Sequence, residues 1–547
     1  MIMRLNVLLL CNQIRGIDGT GGLGDVPVGL AKSLLTRGDI DIRLAMPGFA
    51  DITNEKELAD RFRNPPIEQL RVPFGAETRE VSVFKILLPH SHPPIPCYLF
   101  RCEDVFDRRD PQSGRINKNT PDKAALFARS AVEFLRAHAE FRVDLIHCND
   151  WHTGLTPVYL NTLYRDDLYL GRIATLYTTH NAGGDAFQGG FVDPTLLSLA
   201  GLEDQNVFTP LHTQSLCHFE KFNFTKGAIG FADLINTVSR QYRKELLTPA
   251  FAGGLEGIFL ERQQDFCGIV NGIDVTEWNP QTDMNLKSHV FSANDMIDTV
   301  HKQKQAIRHL LRDWTSNPKN DPRMGEKPFG ALKDSTILMG AITRIDYQKI
   351  PILLQSMDRI CAMNRVQVAL LGSADPNDAM GKGFEADLKA MSQKTDGKLL
   401  FFNGFDIPLS HLIFAASDMF LVPSIFEPCG LTQLVAMRYG SVPVVRSVGG
   451  LADTVIDEQD LHQAESATGF RYEGTVTNDQ MITDIGEDAE RLVECVDRAV
   501  ALYETPRWDQ LVRNGMRRDS SWAVPSMHYT RLYHAAVRRA VERTHFR

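Results

Sequence analysis

The chain has 547 residues, more than one hydrophobic core usually serves, so two or more domains are expected, each large enough to bury a substantial interior. Hydrophobic residues make up 43% and charged residues 23%, which excludes a disordered chain, and the formal charge of -9, from 68 acidic against 59 basic side chains, offers nucleic acid or an anionic membrane no general attraction. Nine scattered cysteines with no Cys-x-x-Cys pair fit a reducing, cytoplasmic setting rather than a disulfide scaffold, and no window reaches the roughly 18 to 20 apolar residues of a membrane helix or the build of a signal peptide.

Short β-rich runs alternate with helical stretches in both halves. "LNVLLL" (5–10) reads as a strand. The glycine-rich "GTGGLGD" (19–25) follows it, and then a helix in which Val26, Leu30, Leu34 and Leu35 recur at helical spacing. "IDIRLAM", "VDLIHC", "IATLYTTH" and "FADLINTVS" are further strands, with a helix over "KAALFARSAVEFLRAH". A turn-rich passage, "VNGIDVTEWNP", punctuated by Gly272 and Pro280, divides the chain. The polar insertion "DWTSNPKNDPRMGEKPFG" reads as a surface loop, after which "STILMGAITR", "VQVALLG", "KLLFFNG", "DMFLVPS" and "SVPVVRS" form a second series of strands. Nearly continuous apolar strands followed by helices describe parallel sheets covered on both faces. The fold class is therefore α/β, two doubly wound domains facing across a cleft, with ligands beyond the carboxyl ends of the strands.

The opening glycines Gly19, Gly21 and Gly24 spell Gly-x-Gly-x-x-Gly, a spacing shared with dinucleotide-binding units. Such a unit wants an acidic side chain at the end of the second strand, whereas Asp39 and Asp41 stand before or at its start and its far end reads "AMPGF". A tight turn that lets strand and helix pack closely explains the glycines better. "IHCNDWHTG" crowds His147, Cys148, Asp150 and His152 together. Strand alternation puts His147 and Cys148 on opposite faces, and no second cluster completes a metal site, so a polar loop at a strand end is the better reading.

"TTHNAGG" sets His180 and Asn181 at another strand end. In the second half, "TRIDYQK" carries Arg344 and Lys349 just after a strand, and "SIFEPCGLTQLVAMRYG" runs from a strand through Glu427 and Gly430 into a helix beginning near Leu431. Free amides at a helix start bind anions without needing a side chain. Two cations and a helix start at the same end of one sheet suggest a diphosphate.

These residues resemble a family. The motifs "TGGLGDV", "FDR", "CNDWHTG", "THN" with "FQGGF", "FTKGAIGFADLINTVS", "VNGIDVTEWNPQTD", "EPCGLTQL", "VGGLADTV" and the final "SSWAVPSMHYTRLY" are similar, in order, to those of bacterial glycogen synthases and plant starch synthases, the retaining GT-B enzymes of glycosyltransferase family 5. The resemblance implies transfer of glucose from ADP-glucose to the non-reducing end of an α-1,4-glucan, glycogen or a maltooligosaccharide, with retention of configuration. It implies no metal and no redox cofactor.

It further implies an N-terminal acceptor-side catalytic domain over 1–270 and a C-terminal nucleotide-sugar domain over 271–524, with the final helix, 525–547, packing back on the first. Carried over position by position, His180 lies beside the donor glucose, Glu427 meets its hydroxyls, and Arg344 and Lys349 neutralise the departing diphosphate. Gly21, Gly22, Gly430, Leu431 and Thr432 contact the donor, and Phe405 stacks on its base. Asp25, Asp150, Trp151, His152 and Asn271 line the sugar and acceptor side.

Three departures stand out. Gly19 falls where the resemblance expects a phosphate-binding lysine, with Arg15 four residues upstream as the candidate substitute, so Gly19→Lys is expected to tighten donor binding. Ile350 follows Lys349 where a glycine is usual, and the glycine loop after Asn181 is longer. The missing lysine motivates a second reading, a weakly active or non-catalytic glucan-binding or regulatory homologue. A transferase acting on small acceptors is disfavoured by Val435, eight residues after Glu427, where those enzymes carry a second glutamate.

Overall fold

The structure is a computed structural model that describes residues 4–19, 22–53, 64–109, 116–193, 195–209, 212–316, 328–333, 336–476 and 484–545. It divides into two compact units, one of 1–272 with 522–547 and the other of 273–521. The first division lies two residues beyond the 270/271 boundary read from the sequence, and the second falls just before Trp522. Among the described residues, no helix is long and apolar enough to cross a membrane.

The first unit is built on nine strands: β1 (Leu5–Leu10), β2 (Ile40–Pro47), β3 (Glu68–Phe74), β4 (Glu77–Leu87), β5 (Pro96–Arg101), β6 (Leu145–Asn149), β7 (Ala174–Thr179), then, past a small three-stranded sheet of β8 (Gly190–Phe191), β9 (Cys217–His218) and β10 (Lys221–Asn223), β11 (Leu234–Thr237) and β12 (Phe266–Gly268). Their order is β12-β11-β7-β6-β1-β2-β5-β4-β3. Pairing is parallel from β12 to β5 and antiparallel for β5-β4 and β4-β3. β1 and β7 are almost wholly buried, as interior parallel strands must be. Of this sheet the sequence reading found β1, β2, β6, β7 and β11 but not β3 to β5 or β12. β4 alternates exposed and buried residues, and its sheet neighbours, not a continuous apolar run, make it a strand.

The helix after the opening glycines begins at Gly22, four residues before the apolar periodicity starts, and runs to Arg37. At its middle, Gly29 leaves room for the indole of Trp522. A Cβ there would lie 2.0 Å from Trp522 Nε1. The last helix, Ala523–His545, continues from this contact along β6, β7 and β11.

A buried chain of hydrogen bonds fastens that helix to the three strands. The Asn236 amide donates to Tyr529 Oη at 3.1 Å, so its Oδ1 accepts from Thr178 Oγ1 at 2.5 Å. The Thr178 oxygen in turn accepts from His147 Nε2 at 2.6 Å, which leaves Nδ1 to accept from Tyr533 Oη at 3.0 Å. Each bond fixes the direction of the next, and Tyr529 and Tyr533, four apart, share one helix face. Cys148 points the opposite way, to Thr153 and Thr156, as strand alternation requires.

The second unit holds β13 (Ile337–Ile342), β14 (Val366–Gly372), β15 (Leu399–Asn403), β16 (Met419–Val422), β17 (Val442–Arg446) and β18 (Phe470–Tyr472), in the order β15-β14-β13-β16-β17-β18 with every pair parallel. The turn-rich passage that separates the two halves is anchored on this unit. Trp278 stacks on His411 with ring centroids 4.3 Å apart, and Asp283 Oδ2 meets both His411 Nδ1 and Tyr439 Oη at 2.7 Å. The polar insertion begins inside a helix, Ile297–Ser316, and its residues 317–327 lie outside the described residues.

Tyr533→Phe strands the acceptor nitrogen of His147 in the interior, so it is expected to lower stability by about 1–3 kcal/mol. Chemical denaturation of the two proteins side by side measures it, and an unchanged midpoint would contradict the bond chain.

Candidate active site

In both sheets the chain reverses direction of winding once: β1 lies between β2 and β6, and β13 between β14 and β16. Loops leaving adjacent strands at such a point diverge and open a crevice at the carboxyl ends. Asp25 and Asp150 in the first unit, and Arg344, Lys349, Glu427 and Gly430 in the second, follow the strands that flank such a point, and His180 follows the strand next to β6.

In the first unit, the loop after β1 leads to the Gly22–Arg37 helix. Gly19 has φ +143°, a conformation that side-chain-bearing residues rarely adopt. Lysine at 19 would therefore strain this turn, and Gly19→Lys changes backbone geometry as well as charge. Gly21 lies outside the described residues, and Gly22 is exposed at the helix start. Arg15 donates its amide to Gly24 O at 3.1 Å, and its guanidinium pairs with Asp25 Oδ1 at 2.8 Å. Asp25 stands in the helix's first turn, where the helix dipole favours a carboxylate.

After β6, Asp150 takes φ 54° and ψ 177°, an unusual backbone for a residue with a side chain. The turn aims its carboxylate at the end of β7, where Oδ1 accepts the His180 main-chain N–H at 2.7 Å. Burial raises the Asp150 carboxyl, opposed by His180 and by the amides of His180 and Asn181.

The His180 ring is held by Asn149. Asn149 Nδ2 donates to Leu10 O at 3.2 Å, so Oδ1 faces His180 Nε2 at 2.9 Å and accepts its proton. His180 thus carries hydrogen on Nε2 and presents Nδ1 unprotonated. Burial lowers its basicity, with Asp150 opposing, which favours a neutral imidazole. The glycine loop beyond Asn181 does not disturb this, because Ala182 N donates to Tyr242 Oη at 3.0 Å and Gln188 Nε2 binds Ala182 O at 2.8 Å.

Trp151, His152 and Asn271 are buried. Trp151 stacks on His152 at 3.9 Å and meets Phe191 and Phe224 edge-on, within an aromatic cluster. His152 Nε2 bonds Asn119 Oδ1 at 2.9 Å, and burial lowers its pKa to about 3. Asn271 Oδ1 is buried without a partner among the described residues. His147, Cys148, Asp150 and His152 thus face four different partners, and no group of three possible metal ligands occurs among the described residues.

In the second unit, Arg344 and Lys349 follow β13 and Glu427 follows β16. The Lys349 ammonium forms a close ion pair with Glu427 Oε2 and reaches Ser424 Oγ at 3.3 Å, while Ser424 Oγ donates to Glu427 at 2.8 Å. Glu427 is 7% exposed, so this carboxylate is buried with its countercharge. The exposed Arg344 guanidinium meets Gln348 Oε1 at 2.9 Å and Asp346 Oδ2 at 3.3 Å. Ile350, where the resemblance expects glycine, is fully buried and roots the segment in the core.

Gly430, Leu431 and Thr432 open the Thr432–Arg438 helix, half-buried, with no side-chain cap. Phe405 stands part-exposed between Gly404 and Asp406, the N-cap of the Ile407–Ala416 helix.

Residues 6–261 match the starch synthase catalytic domain family, and residues 334–473 match the glycosyl transferases group 1 family. Glycogen synthase 2 of Geobacter sulfurreducens is 35% identical over 538 residues, covering 97% of this chain and 99% of the relative. The chain belongs to the glycogen and starch synthase family. It is a glycosyltransferase with the α/β GT-B fold. Glycogen synthase of Syntrophotalea carbinolica is 34% identical with 97% and 99% of the two chains covered. Among solved structures, the catalytic domain of starch synthase IV from Arabidopsis thaliana, bound to ADP and acarbose, superposes with a TM-score of 0.80 at 27% identity, covering 98% of this chain and 99% of that one.

The sequence reading passed over Asn149, Gln188, Tyr242, Gln348 and Ser424, which hold the named residues in place. Their signal was faint, since each is a lone polar residue beside a motif, and only the fold shows what it touches.

His147 and His152 both titrate near 3 in the folded chain against an ordinary 6.5. The unfolded chain therefore takes up protons first, and stability is expected to fall below about pH 6.5, by up to about 1.4 kcal/mol per pH unit for each group until about pH 3. Denaturant midpoints across that range check this, and a flat profile from pH 6 to 4 counts against buried neutral imidazoles.

Proposed function

We propose that this family member transfers glucose from ADP-glucose to the non-reducing 4-hydroxyl of an α-1,4-glucan, retaining the α configuration. The observation that carries the reading is the gathering of Arg344, Lys349, Glu427 and the uncapped Thr432–Arg438 helix start at the carboxyl ends of β13 and β16. Two cations and free amides suit a diphosphate, and a buried carboxylate beside them suits sugar hydroxyls. The starch synthase IV catalytic domain is bound to ADP and acarbose, which supports nucleotide-sugar and glucan substrates for this chain.

Negative charge grows on the leaving diphosphate as the glycosidic bond breaks, so preplaced cations stabilise the transition state more than the bound donor. Lys349 is held by Glu427 and Ser424 before any ligand arrives. A bound sugar competes for the carboxylate and turns the ammonium toward phosphate. Phe405, part-exposed, offers a face to the adenine, and Gly22, Gly430, Leu431 and Thr432 offer main-chain contacts.

In the first unit, neutral His180, with Nδ1 as acceptor, fits a sugar hydroxyl donor rather than a charged phosphate. Asp150 orients it, Asp25 stands at the start of the Gly22–Arg37 helix, and Asn271 Oδ1, without a partner among the described residues, is suited to a sugar hydroxyl. Trp151 and His152 support that loop from the interior. Nothing in this chemistry calls for a metal or redox group. A cytoplasmic setting fits nine cysteines that are all free thiols, seven of them pushed above their usual range by burial.

Radiolabelled ADP-glucose and UDP-glucose, offered in competition with glycogen as acceptor, test the reading. Incorporation is expected from ADP-glucose. Glucan binding without transfer from either donor would sink it and favour a binding homologue. Glu427→Ala and His180→Ala are expected to cut turnover by about a hundredfold or more and to lower the melting temperature as well, because each leaves a buried partner, Lys349 or Asn149, without its bond. Near-normal rates in both variants would remove these residues from the site.

A further inference from the structure

Gln348 joins the two catalytic segments of the second unit through its side-chain amide, beside the Lys349–Glu427 ion pair. It is buried, 7% exposed, and both ends of its amide are engaged. Oε1 accepts from Arg344 Nη2 at 2.9 Å, and Nε2 donates to Phe426 O at 2.8 Å. Its own main-chain oxygen accepts from Ile425 N at 2.9 Å. The segment after β13 is thereby tied to the residues immediately before Glu427. Guanidinium groups only donate and carbonyl oxygens only accept, so the bridging group must carry an acceptor on one side and a donor on the other. A neutral amide meets that requirement. A carboxylate fails it toward Phe426, and an apolar side chain fails it on both sides.

Resting on the transferase reading above, we propose that Gln348 is a positioning residue. It aims the Arg344 guanidinium and sets its distance from Glu427 before the donor binds. Arg344 needs such a hold because its side chain is 67% exposed and its other contact, Asp346 Oδ2 at 3.3 Å, lies on the same short loop. Among the described residues, only Gln348 links it to the neighbouring strand's loop through a buried group. Such a link acts on charge that develops at the leaving diphosphate, so its loss is felt in turnover before binding.

The test uses the full chain and the variants Gln348→Leu, Gln348→Glu, Arg344→Ala and the double variant Gln348→Leu with Arg344→Ala. Initial rates are taken with ADP-glucose and glycogen. Labelling of Arg344 by phenylglyoxal is followed in parallel by peptide mass mapping. Gln348→Leu is expected to lower kcat by about tenfold or more, with the KM for ADP-glucose changing less than about threefold. In the Arg344→Ala background the same change should cost less than about twofold, since its effect passes through Arg344.

Gln348→Glu should regain activity relative to the parent as pH falls, because only its protonated form can donate to Phe426 O. Labelling of Arg344 should rise severalfold in Gln348→Leu. A kcat within twofold of the parent, or a loss that persists undiminished without Arg344, overturns the proposal. If Gln348→Leu does not fold, Gln348→Glu carries the rate comparison, and a kcat loss that is not regained as pH falls overturns the proposal. If the unsubstituted protein transfers no glucose from any donor, the functional reading falls, and the labelling rates alone decide whether Gln348 holds Arg344, with equal rates overturning it.

Discussion

A parallel strand covered on both faces has no place for a polar side chain unless a partner is built beside it. That constraint shapes this protein. Strands such as β1 and β14 bury nearly every residue, so chemistry is pushed to the loops that leave their carboxyl ends. Where winding reverses, at β1 and β6 in one sheet and at β13 and β16 in the other, those loops diverge. The Gly19 turn, Asp150 and the Arg344-to-Lys349 segment all occupy such places, with His180 one strand further on, at the end of β7.

Where polar groups do enter the interior, they come in directional chains. His147 is tolerated between β6 and the last helix because Tyr533, Thr178, Asn236 and Tyr529 satisfy every nitrogen and oxygen in sequence. The same logic holds His180, whose tautomer follows from the way Leu10 O turns the Asn149 amide. It also holds Glu427, buried against Lys349 and Ser424. Removing one partner from such a set costs the full desolvation of the other, which is why these residues act as groups.

Much of the architecture was legible because hydrophobic burial writes itself into sequence as runs and periods. β1 and β14 match their apolar runs residue for residue, and the other interior strands differ by a few residues at their ends. The misses have physical causes. The helix after the glycine loop starts at Gly22 because the backbone turns before its apolar stripe begins. β3 to β5 are strands through their cross-strand partners, and their outer members carry the polar alternation of a sheet edge. The passage "VNGIDVTEWNP" looked like a bare connection, yet Trp278 within it anchors to His411 on the second unit.

By itself the sequence determined the alternation of strands and helices, the two series of strands, the chemical types collected at strand ends, and, through ordered motifs, the family. Those depend on local pattern and residue identity. Tertiary structure decided what a linear pattern cannot hold: that Gly19 sits at a φ unfavourable to lysine, that Arg15 pairs with Asp25, that Trp151 belongs to an aromatic cluster, and that Gln348 bridges two loops 78 residues apart. Hydrogen-bond direction and burial arise between segments brought together only by folding, so these assignments exist only in three dimensions.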